Sequence, residues 1–287
     1  MKERRAFKIV STTCAIAALL SLHMMAIPLS VQLTGMSPHI DQLLELRISE
    51  ISTAIEVDRI KLDRIAEDSF TLDTEALEEG KAYLIDFYVD VSGNGTYDAP
   101  PQDYAWRIEL GEVVEPVSLA FDYNEMFTDI AWPPQIDGII GDEEYRNSLT
   151  DPATGMVLAW QNDSTYIYVG LIGPGTGWVA VGFDAERKMK GANIIIGAVS
   201  DGSLEIEDHF GTTQIGHRED EESDIIQAGG TENDGQTTIE FAVPLESSDK
   251  TLAPGQEVNV ILAYHSSSDR LNSRHTARSM LQIELDE

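Results

Sequence analysis

The stretch GWVAVGFDAERKMKGANIIIGAVSDG, residues 177–202, decides the fold. It holds two apolar runs, GWVAVGF and NIIIGAVS, joined by a charged connector. Each run is short, rich in β-branched and small residues, and bounded by turn formers, which is the pattern of a buried strand. In the connector Met189 stands between Lys188 and Lys190, with Arg187 just before. A flexible thioether on a polar loop either folds back onto the core or binds something.

Working outward, the same pattern recurs. MVLAW and TYIYVGL precede the stretch; SLEIED, TTIEFAVP, VNVILAY and RSMLQIEL follow it. QNDS, SDGS and NDGQ supply Asn, Asp and Gly where tight turns need positive φ. Nearer the N-terminus, LLELRIS places Leu44, Leu46 and Ile48 on one face, and KAYLIDFYVDV returns through SGNG as DYAWRIEL. STAIEVDRIKLDRIAED reads either as a strand or as a short helix. The chain is therefore expected to be all-β: two consecutive immunoglobulin-like β-sandwiches after an N-terminal apolar segment. The expected boundaries are 1–36 for a signal peptide or membrane anchor, 37–128 for a small sandwich of unassigned role, and 129–287 for the second sandwich.

The first segment carries the basic start MKERRAFK and an apolar run that ends near Pro28, as export signals do. An exported protein, extracellular, cell-surface or periplasmic, is the expectation, with an uncleaved anchor as the alternative. The one cysteine, Cys14, lies in this segment, so the remainder has no disulfide and no thiolate metal site. The 287 residues include 50 acidic and 19 basic ones, a formal net charge of −31. Such a chain lacks the cationic face that releases counterions from nucleic acid, and nucleic acid is excluded as a partner.

The second block resembles the DOMON domain, a β-sandwich module found beside copper monooxygenases and in b-type cytochromes. The residues that carry the likeness are GWVAVGF at 177–183, MKGANIIIG at 189–197, DG at 201–202 leading to IED at 206–208, DGQTTIEFAVPL at 234–245, and ILAYHSSSDRLNSRHTAR at 261–278. Val243 stands where many members have Arg, and Ser279 where a Gly often follows. The resemblance implies a non-covalent haem b held between a Met and a His. By motif position these are Met189 and His275, with His265 as a competing imidazole. A Met/His pair favours ferrous iron and leaves no open position, which suits electron transfer. It further implies a redox partner outside the cytoplasm, or, in haem-free members, a carbohydrate or other small ligand. In that second case Trp160, Trp178 and Tyr264 are expected to offer a stacking face.

Charge adds an argument of its own. Basic residues are few, yet Arg187, Lys188 and Lys190 surround Met189, and Arg270, Arg274 and Arg278 surround His275. Haem propionates are carboxylates, and Arg187, Lys190 and Arg278 are expected among the groups that hold them. His209 and His217 read as surface residues. In DVSGNGTYD, Asp90, Asn94 and Asp98 have spacings like a calcium loop, but Pro101 stands where the closing Glu belongs; a metal-free hairpin is the alternative. No GxSxG, HExxH or phosphate-binding glycine loop is present, so the chain reads as no enzyme, or as the electron-transfer subunit of an oxidoreductase.

Overall fold

The structure is a computed structural model that describes residues 26–247 and 250–287. The basic start, most of the apolar leader and Cys14 lie outside the described residues, as does Asp249. Among the described residues no helix is long and apolar enough to cross a membrane.

The chain is all-β. Its first seven strands are β1 (Ile27–Thr34), β2 (Leu44–Glu50), β3 (Glu56–Leu62), β4 (Phe70–Leu77), β5 (Tyr83–Val89), β6 (Tyr104–Leu110) and β7 (Val117–Asp122). They form a three-stranded sheet, β4-β1-β7, facing a four-stranded one, β3-β2-β5-β6. Leu44, Leu46 and Ile48 are buried as the alternation predicts, against Leu29, Val31, Leu33 and Phe87. The ambiguous stretch is strand, not helix: β3 pairs antiparallel with β2.

Residues 27–34 need a correction. They fall inside the expected leader, but they are β1 of this sandwich, paired with β4 and in parallel with β7. Ile27, Leu29, Val31 and Leu33 point inward while Pro28 and Gln32 are exposed, a period of two. That alternation was hidden because it continues an apolar run.

The remaining strands are β8 (Asn147–Thr150), β9 (Val157–Asn162), β10 (Tyr166–Gly173), β11 (Val179–Phe183), β12 (Asn193–Ser200), β13 (Ser203–Thr213), β14 (Gly216–Glu219), β15 (Gln227–Asn233), β16 (Gln236–Pro244), β17 (Glu257–Tyr264) and β18 (Ala277–Glu284). A five-stranded sheet, β15-β16-β10-β9-β8, packs on a six-stranded sheet, β14-β13-β12-β11-β17-β18. Leu158, Val169, Val181, Phe183, Ile195, Phe241 and Val260 fill the space between them. The segment leading into β8 is pinned by the buried Glu240, which accepts from Gly138 N at 2.7 Å, Ile139 N at 3.0 Å and the Tyr145 hydroxyl at 2.8 Å.

β11 and β12 are buried on both faces, which an antiparallel sheet needs only where something covers each side. Val179, Val181 and Phe183 face the core; Ala180 and Gly182, by alternation, face outward. That outward face carries the site.

Candidate functional site

Register lays the outer face of the six-stranded sheet out in rows. One row runs Met280, Ile261, Gly182, Ile194, His209, Glu219 across β18, β17, β11, β12, β13 and β14. The next runs Arg278, Ala263, Ala180, Ile196, Glu207. The middle of both rows is apolar and small, and its edges are polar. Over this floor lies a cleft of about 960 Å³, at the upper end of the roughly 300–1,000 Å³ that ligand pockets occupy. At Gly182 a Cβ would come within 2.8 Å of Ile261 Cγ1 and 2.9 Å of Ile194 Cγ1, so the two isoleucines close over the glycine.

Met189 and His275 both line this cleft, and they enter it from opposite ends. Met189 sits on the β11–β12 connector, beyond the Phe183 end of β11. His275 sits on the β17–β18 connector, and because β17 runs antiparallel to β11 with Val179 beside Tyr264, this connector lies beyond the Val179 end. The five residues of β11 between them span about 13 Å at roughly 3.3 Å per step.

Local backbone geometry holds Met189 in place. The connector turns through Asp184, Lys188 and Gly191, all at positive φ. Lys250 Nζ grips Asp184 Oδ2 at 2.7 Å. Gly191 N donates to Gly211 O at 2.7 Å, and a Cβ on Gly211 would overlap the Met189 carbonyl oxygen. The Met189 side chain is half-buried against Ala185, Ala192, Ile194 and Ile261. At the other end Trp178 Nε1 donates to Ser273 Oγ at 2.9 Å, and Leu271 packs on Trp178 and Ala180, fixing the loop that carries His275. Desolvation, then Arg278 and Arg274, hold the His275 imidazole below its ordinary value of 6.5. His275 is thereby kept neutral, the form in which imidazole ligates a metal.

The cations divide. Lys188, Arg218, Arg274 and Arg278 line the cleft, and among the described residues none of them has an acidic partner within ion-pair distance. Of the expected carboxylate-holding groups, only Arg278 belongs to this set. Lys190 is paired with Glu186 at 2.6 Å, and Arg187 is exposed on the connector in a bridge with Lys190. His265 does not line the cleft: its Nδ1 accepts from Ser268 N at 2.9 Å and Ser267 N at 3.1 Å. The ring proton therefore sits on Nε2, and the imidazole caps a turn rather than offering a lone pair there.

His209 and His217, read from sequence as surface residues, stand on the cleft wall. Two adjacent alternations carry the signal for this, Glu207/His209 on one strand and His217/Glu219 on the next, but only the β13–β14 register brings them together. Trp160 and Trp178 are 7% and 4% exposed and Tyr264 is half-buried, so these three do not form an open stacking face.

The loop of the calcium-like motif is knotted on itself. Asp90 accepts from Gly93 N at 2.5 Å, Gly95 N at 2.8 Å and Ser92 Oγ at 3.0 Å, while Asn94 Nδ2 donates to Asp98 at 2.8 Å. Among the described residues no three His, Cys, Asp or Glu side chains gather to hold a metal ion.

Residues 153–265 match the DOMON domain. The matched span takes in Met189, His209 and His217 and stops ten residues before His275. Among solved structures, the cytochrome b domain of pyranose dehydrogenase from Coprinopsis cinerea is similar at 13% identity and a TM-score of 0.40, over 48% of this chain and 80% of that one. The cytochrome domain of Myriococcum thermophilum cellobiose dehydrogenase is similar at 12% and 0.38, over 49% and 88%. A family 9 carbohydrate-binding module from Caldicellulosiruptor kristjanssonii, in complex with cellotriose, is similar at 12% and 0.32, over 54% and 90%. No curated protein matches the chain significantly.

Proposed function

We propose that the DOMON unit binds a non-covalent b-type haem in the outer-face cleft, with Met189 and His275 as axial ligands, and that the protein transfers electrons to or from a redox partner outside the cytoplasm. The observation that carries this reading is the placement of a thioether and a neutral imidazole at opposite ends of one apolar floor. Met189 and His275 would hold the group, one from each end of the floor.

The donor set fits the group. Bound there, haem would supply reversible one-electron chemistry. Ile194, Ile196, Ile261 and Ala263 give the ring an apolar bed, and Leu271 shields its His275 side. Lys188, Arg218, Arg274 and Arg278 are free to pair the propionate carboxylates. With a thioether and an imidazole as its protein ligands, the group would carry electrons rather than bind substrate at iron. Catalysis would then belong to a separate domain or protein. We further take the two sandwiches as separate domains and the basic apolar start as an export signal.

Titration of the protein with haemin tests the reading. Saturable uptake with a low-spin spectrum is expected, together with loss of the six-coordinate form in His275→Ala and loss of the thioether signature in Met189→Ala. Uptake indifferent to both substitutions would refute it and leave a ligand-binding module as the role of the sandwich.

A further inference from the structure

The cleft contains a second imidazole whose lone pair is fixed by hydrogen bonding. His209 Nε2 lies 2.8 Å from Glu207 Oε2, and His209 Nδ1 lies 3.0 Å from His217 Nδ1. An ionised carboxylate only accepts, so in the neutral form of the pair the His209 proton is on Nε2. His209 Nδ1 is then an acceptor, and His217 Nδ1 must donate to it. The lone pair of His217 falls on Nε2. The two rings meet edge to face at 4.8 Å, which keeps the chain of bonds aligned. Metal-ligating histidines are backed in this way: the far ring N–H is engaged, which fixes the tautomer and raises the basicity of the ligating nitrogen.

The backing group sits at a particular end of the floor. Arg218 pairs with Phe210, which pairs with Asn193, which pairs with Phe183. His217 therefore lies past the Phe183 row, on the Met189 side and opposite His275. Partial desolvation beside the wall, then the neighbouring His209, hold His217 below its ordinary 6.5. The other charged groups on this wall are Glu207, Glu219, Arg218 and Lys188.

We propose that His217 Nε2 is a reserve axial donor on the Met189 side, able to replace the Met189 sulfur and convert a Met/His site into a bis-imidazole one. This rests on the haem reading above. In the exchange one iron–sulfur bond breaks and one iron–nitrogen bond forms; no proton moves, because Nε2 is already bare, and no electron is required. An imidazole favours ferric iron more than a thioether does, so the exchange lowers the reduction potential. Loss of the sulfur donor would then shift the potential without releasing the cofactor.

The experiment compares wild type, Met189→Ala, His217→Ala and the double variant after haemin titration, by absorption, electron paramagnetic resonance and potentiometry. Met189→Ala is expected to stay low-spin with a lowered midpoint potential, His217→Ala to match wild type, and the double variant to turn high-spin. In the Met189→Ala background, His209→Ala is expected to weaken haem binding by roughly 10-fold, the lower bound for loss of such a partner. A high-spin Met189→Ala protein, or a double variant that stays low-spin, would overturn the proposal while leaving haem binding intact. Absence of saturable uptake by wild type would instead overturn the haem reading, and this inference with it. His217 is exposed, so its removal leaves the fold intact, which the melting temperature checks.

Discussion

The outer faces of the two large sheets treat cations in opposite ways. On the first sandwich the face of β2 and β3 is an ion-pair lattice: Arg47 to Glu56 at 2.8 Å, Arg59 to Glu56 at 2.7 Å, and Lys61 to Glu45 at 2.8 Å. Arg107 pairs with the buried Asp86 at 2.6 Å. On the second sandwich the cleft cations have no such partners among the described residues. In a chain with more than twice as many acids as bases, unpaired arginines around an apolar floor are not a by-product of composition. Buried charge is tolerated only with a partner, and the first sandwich supplies it internally. The cleft cations are exposed, so water solvates them and they stay available to an anionic ligand.

The largest expected effect breaks the paired side. Glu56→Ala strands the nearly buried Arg47 and leaves Arg59 only Glu45 at 4.0 Å and the Pro133 carbonyl, and is expected to cost roughly 3–5 kcal/mol in denaturant unfolding. Haemin uptake by the folded fraction should not change. A coupled loss of uptake would mean that the two faces are not independent.

Next comes the close approach that positions Met189. Gly211→Ala puts a methyl group where the Met189 carbonyl oxygen lies, and overpacking of this kind costs about 1–3 kcal/mol. The melting temperature should fall, and the thioether signature of the haemin complex should weaken. Unchanged values of both would remove Gly211 from the account of the site.

The comparison is sharpest with Arg274→Ala and Arg278→Ala together. Because neither guanidinium is paired, unfolding should move by no more than about 0.5 kcal/mol. Each loses a charge-assisted bond of about 1.5–3 kcal/mol to the ligand, so haemin affinity should fall at least 10-fold. A stability loss like that of Glu56→Ala would show these arginines to be structural.

The smallest effect is in pH. His217 and His275 both titrate below their ordinary 6.5 in the folded state, chiefly through desolvation. The unfolded chain then binds more protons than the folded one as pH falls below 6.5, so stability declines there and is fully present above it. His217→Gln and His275→Gln should each flatten that slope, read from unfolding between neutral and mildly acidic pH. A steeper slope in either variant would contradict the sign.

Much of this was readable in the sequence, and for local reasons. The alternation of Leu44, Leu46 and Ile48 and the runs at 179–183 and 193–200 declare strands, because side chains on a strand change face at every residue. Met189 and His275 were named from motif position, and their cationic surroundings from composition. The same local reading failed where one pattern hid another. Ile27–Thr34 was absorbed into the apolar leader, and His265 stood as a competitor to His275 that only the structure shows with its Nδ1 engaged in a turn.

What the sequence determined by itself was the all-β class, the turns and the placing of Met189 and His275 on connectors between strands, since each depends on residues close in the chain. The tertiary structure alone decided which groups share the cleft. His209 meets His217 through the β13–β14 register, and Met189 faces His275 because β17 runs against β11. Register and strand order depend on long-range pairing, so the floor between two separated connectors exists only once the six strands have assembled.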